Sequence, residues 1–176
     1  TTHLLDDVAH KYGFNVIETA VGFKWLCEIM RREPTILCAE ESGGMSILGH
    51  IPEKDGILAI LLMAEVLAIT GKKLSELWTE VQDLVGKKYF YDSLNLHLDG
   101  DAKQAFMDKF NDANLKEIAG FKVLNVDKTE GVKIYLEQGT WLLARPSGTE
   151  AMCRVYFEGN DKAILDRVVK AVGSMI

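Results

Sequence analysis

The sequence predicts a partial three-layer α/β domain over residues 1–88, then over residues 89–176 a smaller α+β domain with an antiparallel sheet and helices on one face. Three observations predict this. In the first part, apolar residues at helical spacing alternate with short strand-like runs, the pattern of an α/β unit. In the second, strand-like runs cluster between two helices, which suggests a sheet built from hairpins. Between them, from Lys87 to about His97, the periodicity changes without a Pro- or Gly-rich linker, so the stretch reads as a hinge.

Each element has its own signal. Leu4, Leu5, Val8 and Ala9 share one helical face, Asp6, Asp7 and His10 the other, and Gly13 is the expected stop. Asn15-Val16-Ile17-Glu18 reads as a short strand. Thr19 to Gly22 is a loop into a helix from about Phe23 to Arg31. Thr35 to Ala39 reads as a buried strand, delivering Glu40-Glu41-Ser42-Gly43-Gly44 at its C-terminal end, where ligands gather in α/β sheets. Asp55 is placed to cap a strongly apolar helix, Ile57 to Ile69, stopped by Thr70-Gly71, with a direct ligand role as the alternative. His50, a lone histidine beside Gly49, suits a structural role. Leu74, Leu77, Trp78, Val81 and Leu84 form an amphipathic helix ending at Gly86.

Beyond the boundary, a helix is expected from Ala102 to Phe110. Strands follow near Phe121 to Val126, Gly131 to Leu136, Thr140 to Ala144 and Cys153 to Phe157, with Glu137-Gln138-Gly139 as a hairpin turn. A last helix, Asp161 to Val172, is expected to be capped by Asn160 and to turn Ile164, Leu165, Val168, Val169 and Val172 inward.

The totals narrow the function classes. A length of 176 residues suits one large domain or two small ones, and 48% hydrophobic with 26% charged residues is ordinary globular composition. A net charge of −6, with no dominant Lys/Arg face, disfavours nucleic acid as a partner. A local Arg/Lys cluster can still serve an anionic small ligand. Cys27, Cys38 and Cys153 lie in apolar surroundings without CxxC spacing, which suggests reduced core thiols and a cytoplasmic protein. The longest apolar run, Ile57 to Ala64, is far short of a membrane span, and no signal peptide opens the chain. The start at Thr1-Thr2, without Met, is expected of a processed chain or one cut from a longer protein.

The chemistry concentrates where the apolar run Trp141 to Ala144 stops. Arg145-Pro146-Ser147-Gly148-Thr149-Glu150 follows, and then a second apolar strand. A guanidinium offers parallel donors that match two phosphate oxygens. The hydroxyls of Ser147 and Thr149 can donate to the others, and Gly148 lets the backbone come close to an anion. These are also ordinary hairpin-turn residues, so the pattern alone leaves a plain polar turn equally open.

Arg-Pro-Ser-Gly-Thr-Glu resembles the phosphate-binding loop of the α-D-phosphohexomutases, the phosphoglucomutase/phosphomannomutase superfamily. Ala151 stands where the family motif usually continues with Pro, which removes a rigid residue but no phosphate donor. Two earlier stretches carry the same resemblance. Val21-Gly22-Phe23-Lys24 is similar to a family segment whose Lys faces the sugar-phosphate site, which implies Lys24 as a ligand. Glu40-Glu41-Ser42-Gly43-Gly44 resembles the sugar-specificity loop, which implies that Glu40 and Ser42 contact sugar hydroxyls. Ala39 replaces the usual Gly there. Gly44 stands where several phosphomannomutase-like members carry His, so the form is nearer the phosphoglucomutases. Lys54-Asp55-Gly56 resembles a further family segment, in which Lys54 would add positive charge.

Leu98-Asp99-Gly100-Asp101 looks like the core of the family's magnesium loop, or the start of a calcium loop, but the residues that should follow are absent. Ala102-Lys103-Gln104 stand in place of a third Asp and an Arg, so the stretch reads as a turn and helix N-cap. The resemblance spans nearly the whole chain, from partway through the family's third domain to the end of its fourth. It implies a hexose 1-phosphate/6-phosphate mutase whose Mg2+ site and phosphorylated Ser lie in N-terminal domains outside these residues. This chain alone, expected to be inactive, would bind the sugar phosphate. The alternative is a non-catalytic sugar-phosphate-binding or protein-interaction module.

Overall fold

In the computed structural model, which describes residues 1–175, the chain forms two compact units, one ending at Gly86 and the other beginning at Lys87. The first has helices α1 (Leu4–Lys11), α2 (Phe23–Arg32), α3 (Gly56–Thr70) and α4 (Leu74–Val85), and strands β1 (Leu37–Ala39) and β2 (Met45–Ile47). β1 and β2 form an antiparallel hairpin with Cys38 opposite Ser46. Its small core joins Phe23 and Cys27 of α2 to Cys38 of β1, with Leu26 and Met30 against them. α1 packs on α4, and Lys11 Nζ donates to Leu84 O.

α3 begins where Asp55 Oδ1 accepts the N–H groups of Ile57 and Leu58 at 2.9 and 3.0 Å. These satisfy two otherwise unpaired N-terminal donors. The other carboxylate oxygen lies 2.9 Å from His50 Nε2, so His50 fixes the cap. The Leu58 N–H bond first, then the His50 contact, hold the Asp55 carboxyl below the ordinary range. α3 ends at Gly71 and α4 at Gly86, both left-handed.

Two expected strands of this unit differ in the structure. Residues 14–20 form no strand, and with no strand paired to them Val16 and Ile17 stay exposed. The stretch from Thr35 is not a buried strand either. Pairing starts only at Leu37, and of β1 only Cys38 is buried, because one short partner covers one side. α3 is apolar all round, yet none of its residues is buried.

The second unit is one six-stranded antiparallel sheet and two helices. In sequence order these are β3 (Phe90–His97), α5 (Gly100–Asn111), β4 (Glu117–Ile118), β5 (Phe121–Asp127), β6 (Val132–Leu136), β7 (Thr140–Pro146), β8 (Met152–Gly159) and α6 (Lys162–Gly173), and the strands lie side by side as β3-β8-β7-β6-β5-β4. Alternation puts Val132, Ile134, Leu136, Leu142, Ala144, Cys153, Val155 and Phe157 on one face. There they meet Phe106, Met107 and Phe110 of α5 and Leu165, Val168 and Val172 of α6. At about 25 cal/mol per Å2 of apolar surface, burial of these side chains supplies the main stabilisation of the unit.

Two local expectations are corrected in this unit. The stretch read as a hinge, Lys87 to His97, contains strand β3, paired along its whole length with β8. Its inward residues Leu94 and Leu96 alternate with Asn95 and His97, a period-2 signal diluted by Tyr91, Asp92 and Ser93. The cap of α6 is Asp161, whose Oδ1 accepts from Ala163 and Ile164 N–H at 2.8 and 3.1 Å. Asn160 instead donates to Lys88 O at 2.7 Å.

Candidate functional site

The Arg145–Glu150 stretch lies at the β7–β8 connection. Ser147 N–H donates to Met152 O at 2.9 Å, closing the loop as the ladder ends. Ser147 Oγ accepts N–H bonds from Thr149 at 3.4 Å and Glu150 at 3.1 Å. The hydroxyl therefore shapes the turn and keeps its own hydrogen as a donor. Gly148 has open space around it and no left-handed φ, so the chain's own packing does not require glycine there. Thr149 is exposed at the loop tip.

Arg145 is half-buried, and its Nε lies 3.0 Å from Glu130 Oε1, in the turn between β5 and β6. That ion pair braces the guanidinium through its Nε. Directly across the ladder from Arg145 stands Arg154, whose guanidinium lies 2.7 Å from Glu150 Oε2. Like charges at such a cross-strand pair repel, and each is matched here by a carboxylate. A third cation comes from α5: Lys103 Nζ donates to Ser147 O at 3.0 Å and Glu150 O at 3.2 Å. Three cations and two carboxylates thus surround the loop, a local positive excess in an acidic chain.

The sequence singled out Arg145, Ser147, Gly148 and Thr149, and the structure places Arg145 at the end of β7 and the other three in the turn that follows it. Glu130, Lys103 and Arg154 were not singled out. Glu130 and Lys103 reach the loop only through tertiary packing. Arg154 had a readable signal, since strands flanking a short turn put residues at matched distances on opposite sides of the ladder.

In the first unit, Glu40, Glu41, Ser42 and Gly43 form the turn between β1 and β2. Glu40 N–H donates to Gly44 O at 2.9 Å and Gly43 N–H to Glu40 O at 3.0 Å. Ser42 Oγ accepts the Gly44 N–H at 3.4 Å. Asp55 N–H donates to Met45 O at 2.8 Å, which brings the neighbouring Lys54 over the turn. A methyl group on Gly44 would sit 3.3 Å from Lys54 Cδ and 3.5 Å from Glu40 Oε2, so Lys54 and Glu40 flank this glycine. Lys54 Nζ also lies 5.5 Å from the ring centre of Phe23, the residue before Lys24. Lys24 itself is exposed, with Nζ 4.7 Å from the Trp25 ring centre. The first unit thus gathers Glu40, Lys54 and Phe23, with Lys24 at the adjoining helix start.

Among the described residues, no three His, Cys, Asp or Glu side chains are grouped to hold a metal ion. Asp99 occupies the N-cap position of α5, but its side chain accepts no capping bond. No helix among the described residues is long and apolar enough to cross a membrane.

Residues 1–85 match the phosphoglucomutase/phosphomannomutase alpha/beta/alpha domain III, and residues 102–173 match the C-terminal domain of the same enzymes. The chain belongs to the phosphoglucomutase/phosphomannomutase family. A phosphoglucomutase/phosphomannomutase of Thermococcus kodakarensis is 32% identical over 92% of this chain and 33% of its own length. A phosphoglucosamine mutase of Ruminiclostridium cellulolyticum is 32% identical over 98% of this chain and 34% of its own. Among solved structures, one described as a phosphomannomutase from Thermus thermophilus superposes with a TM-score of 0.76 at 33% identity, covering 99% of this chain and 34% of that one. The chain spans about a third of the length of the curated relatives it matches.

Proposed function

We propose that the chain is the substrate-recognising C-terminal part of a hexose-phosphate mutase that interconverts sugar 1-phosphate and 6-phosphate. Arg145, Ser147, Gly148 and Thr149 hold the phosphate that is not being transferred. Glu40 and Ser42 grip sugar hydroxyls, and Lys24 adds charge. The observation that carries this reading is the Arg145 loop. It combines a guanidinium braced by Glu130 with a turn whose hydroxyls and Gly148 N–H remain open to an anion.

These residues position a substrate and transfer neither proton nor phosphoryl group, which is orientation work. The transferring phosphoserine and its Mg2+ belong, on this reading, to N-terminal domains of a longer polypeptide, the partner of this part. That partner is supported by the one-third coverage of the relatives and by the uncovered apolar sides of α3. Three buried free cysteines support a cytoplasmic location. The Glu-Glu-Ser-Gly-Gly form of the sugar loop favours a glucose phosphate.

Two measurements test the reading. A coupled mutase assay on the chain alone is expected to show no turnover, and turnover would refute the division of labour. Isothermal titration with glucose 1-phosphate is expected to show binding that Arg145→Ala abolishes. Binding indifferent to that substitution would favour an interaction module instead.

A further inference from the structure

Lys103 crosses from α5 to the loop between β7 and β8 and donates to two of its carbonyls, Ser147 O and Glu150 O. It is half-buried, and charged donors on carbonyls make stronger bonds than neutral ones. A trans peptide unit is planar, with its C=O and N–H pointing in opposite directions. The chain has no cis peptides among the described residues. Fixing Ser147 O toward α5 therefore fixes the Gly148 N–H to point away from α5, and Glu150 O, held both by Lys103 and by the Met152 N–H at 2.8 Å, does the same for the Ala151 N–H. The neighbouring Thr149 and Glu150 N–H groups are already spent on Ser147 Oγ. The N–H groups of Gly148 and Ala151 have no hydrogen-bond acceptor among the described residues. The lysine thus sits behind the loop, fixing the direction of the Gly148 amide and, together with the Met152 N–H, that of the Ala151 amide.

We propose that Lys103 is a positioning residue for the phosphate loop: it locks the peptide planes that aim the Gly148 and Ala151 N–H groups at the bound phosphate, without touching the phosphate itself. This rests on the anion-binding reading of the loop given above. It accounts for a cation on a helix that carries none of the family motifs. It also separates two kinds of positive charge at the site, Arg145 for contact and Lys103 for shape.

The test is an NMR titration of the 15N-labelled 176-residue chain with inorganic phosphate, in wild type, Lys103→Met and Lys103→Arg. In wild type, the Gly148 and Ala151 amides are expected among the largest shifts, while Lys103 Nζ moves little. Lys103→Met, which keeps the length but loses the donors, is expected to weaken phosphate binding about tenfold. It should also move the free-state Gly148 and Ala151 amides while Ile134 and Leu142 stay in place. Lys103→Arg, which retains donors, is expected to recover most of the loss. Equal affinity in wild type and Lys103→Met overturns the proposal and leaves the anion site standing. No phosphate shift in wild type overturns both. If Lys103→Met does not fold, the wild-type titration decides: Lys103 Nζ shifting with phosphate while Gly148 does not would make the lysine a direct ligand and overturn the positioning role.

Discussion

Arg145 Nε, near the end of β7, and Glu130 Oε1, in the turn between β5 and β6, lie 3.0 Å apart, each side chain about 30% exposed. The carboxylate has two opposing effects on a bound phosphate. It holds the guanidinium in place, and it repels the anion. Substitutions that split these effects decide between them. Glu130→Gln keeps an acceptor for Nε and removes the repulsion, so it is expected to bind inorganic phosphate at least as tightly as wild type. Glu130→Ala removes the acceptor as well and is expected to bind about tenfold more weakly than Glu130→Gln, the low end of the scale of one charge-assisted bond, about 1.5 kcal/mol. Equal affinities for the two variants in calorimetry would show that Glu130 does not orient Arg145.

Gly131 follows Glu130 with φ +67, and a Cβ there would fall 2.4 Å from Ala144 O. The clash is with backbone, and the conformation disfavours any side chain. Gly131→Ala is therefore expected to cost more than about 1 kcal/mol in urea unfolding and to displace the Arg145 Nε resonance with it. A folded, wild-type-like spectrum would contradict the assigned role of this turn.

Trp141 Nε1 donates to Glu158 Oε1 at 3.0 Å, and both residues are buried. Trp141→Phe keeps most of the ring and deletes one bond to a buried carboxylate. The expected loss is about 1–3 kcal/mol, seen as a lowered Tm, with the sheet retained.

Much of this architecture was legible in the sequence, and the exceptions share a cause. Periodicity located α1 to α6, β5 to β8 and the caps at Asp55, Gly71 and Gly86. It lost β2 and β4, which are only three and two residues long, and β3, because Phe90 to His97 mixes polar residues into its alternation. It offered a strand at Asn15 to Glu18, because a strand needs a neighbour that periodicity cannot supply. The same division holds for the loops. Arg145, Ser147, Gly148 and Thr149 are contiguous and readable as a motif. Glu130 and Lys103 lie 15 and 42 positions before Arg145 and arrive only through folding.

Asp55 carries a pH dependence with a definite sign. Its carboxyl is held below the ordinary range by the Leu58 N–H bond and by His50. A depressed folded pKa means that its contribution is complete above the unfolded value, about 3.9, and is lost as pH falls through the folded one. Acid unfolding followed by circular dichroism is expected to begin at higher pH in Asp55→Ala than in wild type. Coincident acid transitions would show that the cap does not hold α3.

Recognition of a phosphosugar by the two loops is the central claim. The measurement that tests it most directly is an NMR titration of this chain with glucose 1-phosphate, with glucose and inorganic phosphate as controls. Shifts are expected at both Arg145–Thr149 and Glu40–Gly44, larger for the phosphosugar than for either control. No shift at Arg145–Thr149 with glucose 1-phosphate or with phosphate would contradict the claim.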